Sequence, residues 1–500
     1  MKVGLTLSCY PQLDKIWNDL TPLGLGYLAS SARAALPGAD IFISRDFDAL
    51  LEHKPDLVGF TTVTHNINYC INQARRVKEE LGCPVLIGGA HVSLMSVLDE
   101  PFDVAVIGEG EQTFVELLCL YQAEKCFTPQ SLAKINGIRY RDESGAVVQT
   151  PARAPIQDLD SLPFPDRQST WQQWPRHPFE ASMMSSRGCP YDCYFCSTVQ
   201  HWGSKYRAAS PQYVIRELEE LMALHDPHIV HFDDDLFVGR KERNLQIMEM
   251  MRERRLHEGK QYRCFVRANL FSDDLFEAFA KTNFEIINVG FESASESVLR
   301  TFNKKSDSKR NERAIEIARR HGVKLTASFI FGAPGETRDD IQKTIEFVCD
   351  NADVFHYVHF GTLCVLPGTQ IWDKASEIGV NEQNLTGIAL EPQDIDAEQH
   401  YVMNRWPYLN EKNVPREELF TYLQVARQIE KMIYKQYELS SKNKELELKI
   451  DQLTQQRDQT SSTEYVAQNM PILDIVKAKA RRRMPRLFSS PSSSSATPES

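Results

Sequence analysis

The segment CPYDCYFC sets Cys189, Cys193 and Cys196 at C-x3-C-x2-C spacing, and it constrains this chain more than any other feature. Three thiols so close together either cross-link or bind metal. The chain begins MKVGLTLSCYPQLD, with one Lys and a brief apolar stretch that reads as a first strand. A secretory leader needs a longer apolar region and a small-residue cleavage site, and no apolar run approaches the length that spans a bilayer. The expected location is therefore the cytoplasm, away from membranes, where thiols stay reduced and a tight Cys cluster means metal. The other eight of the eleven Cys (Cys9, Cys70, Cys83, Cys119, Cys126, Cys264, Cys349 and Cys364) are scattered and read as buried structural thiols.

Iron–sulfur cubes are held by Cys thiolates, usually four. Three thiolates with no obvious fourth would leave one iron open to a small-molecule ligand, and an open metal position is what a catalyst needs. Zinc is the competing reading, because His201 shortly after Cys196 would complete a Cys3His set.

The rest of the chain supplies the setting. Five hundred residues suggest two domains and an appendage. A formal charge of −11 argues against a nucleic-acid partner. In residues 1–125, the runs KVGLTLS, DIFISRD, LVGFTTV, PVLIGGA and VAVIGEG read as buried strands. Helical segments such as GLGYLASSARAAL and NYCINQARRVKEEL lie between them. This alternation predicts an α/β fold with a Rossmann-like, doubly wound parallel sheet, which binds ligands at the carboxyl ends of its strands. Residues 126–180, with the stretch DLDSLPFPDRQS, read as a linker. Strands and helices alternate again over 181–380, through IVHFDDD, RCFVRAN, IINVGFES, KLTASFIFG and YVHFGTLCVLP. About six such units would curl into a partial (β/α)6 barrel with active residues at the strand C-termini.

A helical C-terminal extension follows. Residues 381–424 are expected to cover the barrel mouth and shape the substrate site. Over 425–460, Val425, Ile429, Met432, Leu439, Leu446, Ile450 and Leu453 fall at a/d-like spacing, with Gln436 and Asn443 at a-like positions. The helix either forms a coiled coil, and so a homo-oligomer, or packs its first half back onto the barrel. Residues 461–500 carry a basic run (Lys477 to Arg486) and a Ser-rich tail expected to be disordered.

From about 182 to 375 the sequence resembles the radical S-adenosylmethionine enzymes, whose signature is C-x3-C-x2-C after a first strand. The resemblance implies that Cys189, Cys193 and Cys196 are the catalytic ligands of a [4Fe–4S] cluster whose free iron binds S-adenosylmethionine. Its reductive cleavage then yields a 5′-deoxyadenosyl radical. Further motifs match in order. Tyr194 and Phe195 stand where relatives cover the adenine. Asp233, Asp234 and Asp235 of FDDDLF match an acidic motif near the methionine ammonium, and Arg267 an Arg that meets its carboxylate. Gly290 and Glu292 of VGFES resemble a ribose-contacting segment. Gly332, Pro334, Gly335 and Glu336 of FIFGAPGET resemble the fifth-strand turn, and VLPGT recurs later. Glycines let backbone approach a cofactor, while acids and Arg complement a zwitterion.

The first domain resembles the cobalamin-binding domain of B12-dependent radical enzymes, through PLGLGYLAS, KPDLVGFTT, VLIGGAHVS and AVIGEGEQTF. Thr62, Gly88, Gly89 and His91 on one loop, and Gly108, Glu109 and Gly110 on another, are the implied cobalamin contacts. The D-x-H-x-x-G motif that places a His beneath cobalt is absent after the first strand, which puts the lower ligand in doubt more than the cofactor. The resemblance implies a methyltransferase acting on an unactivated carbon or phosphorus of a small-molecule substrate, with an external flavodoxin- or ferredoxin-type electron donor. A cobalamin-dependent cyclase, oxidase or rearrangement enzyme has the same domains and is the alternative. A methylthiotransferase would use Cys9, Cys70 and Cys83 for a second cluster, but their contexts do not match. A non-enzymatic cobalamin sensor would have no use for the full set of motifs.

Overall fold

The computed structural model describes residues 1–8, 22–95, 98–173, 179–366, 368–376 and 408–459. Residues 381–407 of the stretch expected to cover the barrel mouth, the tail 461–500, Cys9 and Pro367 lie outside the described residues. Residues 1–434 form one contact unit, and the chain from Lys435 onward forms another that is described by itself.

The first sheet is built from β1 (Lys2–Thr6), β2 (Asp40–Ile43), β3 (Leu57–Thr61), β4 (Val85–Gly88), β5 (Val104–Val106), β6 (Ile138–Arg141) and β7 (Val147–Gln149), in the order β2-β1-β3-β4-β5-β6-β7. Its five expected strands are parallel and almost wholly buried, as continuous apolar runs covered on both faces should be. The helices Leu23–Ala35 and Ile67–Glu80 cover it as their periodicity predicts. The stretch read as a linker differs. It contributes β6 and β7, an antiparallel pair that continues the sheet beyond β5. The short strands IRYR and VVQ had been masked by their Arg and Gln, yet a free β5 edge requires a partner for its amides.

A second, six-stranded parallel sheet comprises β8 (Glu180–Met183), then, beyond a long-looped antiparallel hairpin of two-residue strands, β9 (Ser186–Arg187) and β10 (Arg207–Ala208), β11 (Ile229–Phe232), β12 (Gln261–Val266), β13 (Ile286–Glu292), β14 (Lys324–Phe331) and β15 (Phe355–Thr362). Its order is β15-β14-β13-β12-β11-β8, so each new strand adds to one growing edge, as in an open barrel. Burial alternates along β14: Leu325, Ala327, Phe329 and Phe331 join a Phe-rich core with helix residues such as Phe276, Ile315 and Ile341. The intervening Thr326, Ser328 and Ile330 point to the other, concave side and stay partly open, as does Phe265 of β12, which is 47% exposed.

The helix Arg416–Gln459 begins earlier than the heptad pattern indicated. Its first half packs onto the barrel through Leu419, Leu423, Ala426 and Ile433, not through Val425 and Met432. Glu430 accepts a 2.6 Å hydrogen bond from the backbone N–H of Phe360 on the outer edge of β15. Among the described residues no helix is long and apolar enough to cross a membrane.

This packing register gives a direct test. Leu423→Ala should lower unfolding stability by about 2–4 kcal/mol, whereas Val425→Ala should change it by less than about 0.5 kcal/mol. Guanidinium unfolding of the full chain measures both, and equal effects would contradict the register.

Candidate active site

The hairpin β9–β10 delivers the Cys loop. Gly188, between Arg187 and Cys189, has φ +83°, and a Cβ there would lie 2.5 Å from the carbonyl oxygen of Lys205. Only Gly lets the chain turn here. Cys193 is buried, while Cys189 and Cys196 are partly open. Burial raises the thiol pKa of Cys189 and Cys196, and each feels the charge of neighbouring thiols. The three sulfurs thus share one site in which anionic sulfur needs a cation. Among the described residues no three His, Cys, Asp or Glu side chains crowd closely enough for a single ion. His201 does not join the three thiols in a zinc set; it lines a separate cavity beside Trp202.

Several groups hold the loop. Arg267 Nη1 lies 3.3 Å from Cys193 Sγ, and the guanidinium sits 3.8 Å from the centre of the Tyr191 ring. Cys196 Sγ donates to Thr198 Oγ1 at 3.3 Å, and Thr198 donates to Asp235 at 3.0 Å. The Tyr194 N–H donates to the carbonyl of Phe302, and the Phe195 ring packs edge-on against Phe302.

The acidic motif divides its work. Asp234 is buried and accepts from the backbone N–H of Ser185 (2.6 Å) and the hydroxyls of Ser185 and Ser186, so it fixes the strand leading into the Cys loop. Asp233 and Asp235 are left nearer the surface. Glu292 ends β13 at a register shift with φ +64°, a left-handed conformation that is costly for a non-Gly residue. It pairs with the buried Lys304, whose backbone carbonyl accepts from Arg267. Gly290 sits against this pair, where a Cβ would strike Glu292.

The first sheet has a cavity of about 250 Å³ at the carboxyl edge of its strands. Leu5, Phe60, Thr62, Gly88, Gly89, Gly108, Glu109 and Gly110 line it, joined from the barrel side by Arg187, His201 and Trp202. Gly89 has φ +100°, and a Cβ there would lie 2.4 Å from the Thr62 carbonyl. His91, expected beside them, is not among the residues lining the cavity: it is buried, contacts Thr64 at 3.3 Å and is held neutral by burial, its pKa about 4. Between cavity and Cys loop lies a buried ion cluster: Arg187 pairs with Glu111 (2.5 Å) and approaches Glu109 (3.6 Å), and Arg207 pairs with Glu109.

Comparison with known proteins agrees with both halves. Residues 183–348 match the Radical SAM superfamily and residues 13–118 the B12 binding domain. An uncharacterised methyltransferase of Pyrococcus horikoshii is 30% identical over 374 residues, covering 71% of this chain and 78% of that protein. The chain belongs to the radical SAM superfamily. The anaerobic magnesium-protoporphyrin IX monomethyl ester cyclase of Rubrivivax gelatinosus is 28% identical over 69% of this chain and 65% of its own length. The radical S-adenosylmethionine methyltransferase TsrM from Kitasatospora setae, solved with tryptophan and a S-adenosylmethionine analogue, shares the fold at TM-score 0.63 and 19% identity, with 76% of each chain covered.

Within this radical SAM enzyme, sequence reading found the thiols and the glycine loops but missed Arg187, Thr198, Trp202 and Lys304. Each acts through a partner distant in sequence, so no local motif marks it. The Gly332–Glu336 turn was marked. There Glu336 accepts from the Gly332 N–H at 2.5 Å, and Asn410 bridges the Gly335 N–H and the Glu336 carbonyl. Burial, aided by the charge of Asp340, pushes the Glu336 carboxyl up to about 8, so it is mainly neutral at pH 7.

A raised carboxyl pKa means that folding takes up a proton. The stabilisation is full below the unfolded value near 4.5 and is lost as pH rises through about 8. Glu336→Gln should therefore flatten the pH dependence, with wild type losing up to about 1.4 kcal/mol per pH unit relative to the variant across that window. Thermal unfolding from pH 5 to 8.5 reads the difference; parallel curves would refute the buried neutral acid.

Proposed function

We propose that this radical SAM enzyme is a cobalamin-dependent methyltransferase that acts on an unactivated carbon or phosphorus of a small molecule held on the concave face of the barrel. The observation that carries this reading is the convergence of a glycine-edged cavity and a three-thiol loop on one structural arm. Arg187 closes the cavity of the first sheet, and two residues later Cys189 begins the cluster loop. The residues fit the groups implied. Three thiols with an adjacent guanidinium suit a [4Fe–4S] cluster, and the cavity edge at Gly89 tolerates no side chain.

When bound, the cluster and S-adenosylmethionine supply hydrogen-abstracting chemistry and cobalamin supplies a methyl group. The chain's own part is positioning, which can provide much of the rate. Cys189, Cys193 and Cys196 hold the cluster, Arg267 offsets charge at the Cys193 sulfur, and Thr198 fixes Cys196. Asp233 and Asp235 face the methionine ammonium. Gly290 and the Glu292–Lys304 pair bound the ribose side, and Tyr194 and Phe195 the adenine side. Thr62, Gly88, Gly89 and the Gly108–Gly110 turn bound the cobalamin, of which a cavity of about 250 Å³ admits a slender arm rather than the whole. A flavodoxin- or ferredoxin-type donor delivers the electron.

Similarity to a methyltransferase supports this reading, and similarity to the cyclase supports a second one, cobalamin-dependent cyclisation or oxidation on the same scaffold. Isotopically labelled methyl groups from S-adenosylmethionine distinguish them, since only methyl transfer places the label in product.

Two variants test the assignment. Replacing all three Cys by Ala should remove the iron and reduce 5′-deoxyadenosine formation by the anaerobically reconstituted, reduced protein to background. Retained formation would refute the cluster site. Gly89→Ala should keep the iron yet lower corrin retention after desalting at least about tenfold, because the new methyl group meets the Thr62 backbone. Undiminished corrin absorbance would place cobalamin elsewhere.

A further inference from the structure

Val425, Met432, Leu439 and Leu446 recur every seven residues on the helix Arg416–Gln459 and are 50%, 70%, 55% and 56% exposed. Tyr422 and Ile429, at the a positions of the same repeat, pack with Leu419, Leu423, Ala426 and Ile433 against the barrel core, so the part of the face still uncovered is carried by Leu439 and Leu446, in the stretch from Lys435 onward. Large apolar side chains this exposed at fixed spacing mark an interaction face. The spacing also identifies the shape of the partner. On a straight helix a seven-residue stripe drifts about 20° per repeat, so it stays continuous only against another helix wound around it. A flat protein surface would favour a 3.6-residue stripe instead.

We propose that this face binds the same helix of a second copy of the chain, in parallel and in register. With Leu439 and Leu446 at d positions, Gln436 and Asn443 fall at a, where polar residues weaken association but specify register and a two-stranded state. Charge selects the orientation. Lys435, Lys442 and Lys449 occupy g positions and Glu447 an e position. An antiparallel pair would set the g-position lysines against one another. A parallel pair instead sets Lys442 beside Glu447 of the second copy, the favourable g–e contact five residues apart. Lys442 and Glu447 are both exposed and available for it. The association is independent of the reaction proposed above, and its failure would leave that reading intact.

The test is sedimentation of the reconstituted full-length holoenzyme across micromolar concentrations, where a two-chain mass is expected. The double variant Leu439→Asp, Leu446→Asp should raise the dissociation constant at least about tenfold, with iron content and melting temperature unchanged. Orientation is read with a short bismaleimide. Asn443→Cys should give a 443–443 cross-link identified by peptide mass, and Glu438→Cys, on the far side of the helix, should not. A monomeric wild type, a dimer indifferent to the two Asp substitutions, or cross-linking at 438 in place of 443 would each overturn the proposal. So would a defined complex with a different protein formed through this face in preference to self-association.

Discussion

The buried charges of Arg187, Arg207, Glu109 and Glu111 are the constraint on which the arrangement rests. Two guanidiniums and two carboxylates are removed from water together, and each needs the others because an unpaired buried charge costs several kcal/mol. Glu109 and Glu111 follow β5 of the first sheet, while Arg187 and Arg207 lie on the hairpin of the second. The cluster therefore sets where the two sheets meet. Arg187 is also flanked by the rings of Tyr27 and Trp202, at 5.3 and 5.1 Å, which hold its plane. The Cys loop inherits its position from this residue through a single glycine.

The strands were legible because parallel strands buried on both faces leave continuous apolar runs. The five strands of the first domain and the later strands of the barrel lie where such runs fall. The β6–β7 hairpin was not legible, since Arg139 and Arg141 on a strand read as solvent-facing. In the fold Arg139 is buried and donates to the Val92 carbonyl at 2.7 Å. The C-terminal helix was legible as a helix but not in its docking face. Two apolar stripes overlap there, and sequence alone does not say which one the barrel takes.

The site was legible in the same uneven way. Local spacing exposed the thiols and the glycine turns. Glu109, Asp234 and Glu292, expected as cofactor contacts, are engaged by protein partners 98, 49 and 12 residues away in sequence: Arg207, Ser185 and Lys304. Such acids look identical in sequence to ones that face a ligand. Structure separates them by what surrounds each carboxylate, and Asp233 and Asp235 emerge as the more open members of their motif. Glu292 combines a left-handed backbone with a buried Lys, strain that the surrounding fold must hold in place.

Among the described residues the second sheet does not close on itself, and one side of β15 has no strand partner. Such an edge is a template for intermolecular pairing and aggregation. The C-terminal helix acts here as a guard rail: it lies along the strand, and Glu430 occupies the Phe360 amide that another chain would otherwise seek. Solubility of the barrel during synthesis is thereby tied to the last part of the domain to be made. Until the ribosome has released residues past 430, the strand most prone to mispairing is also the one still waiting for its cover.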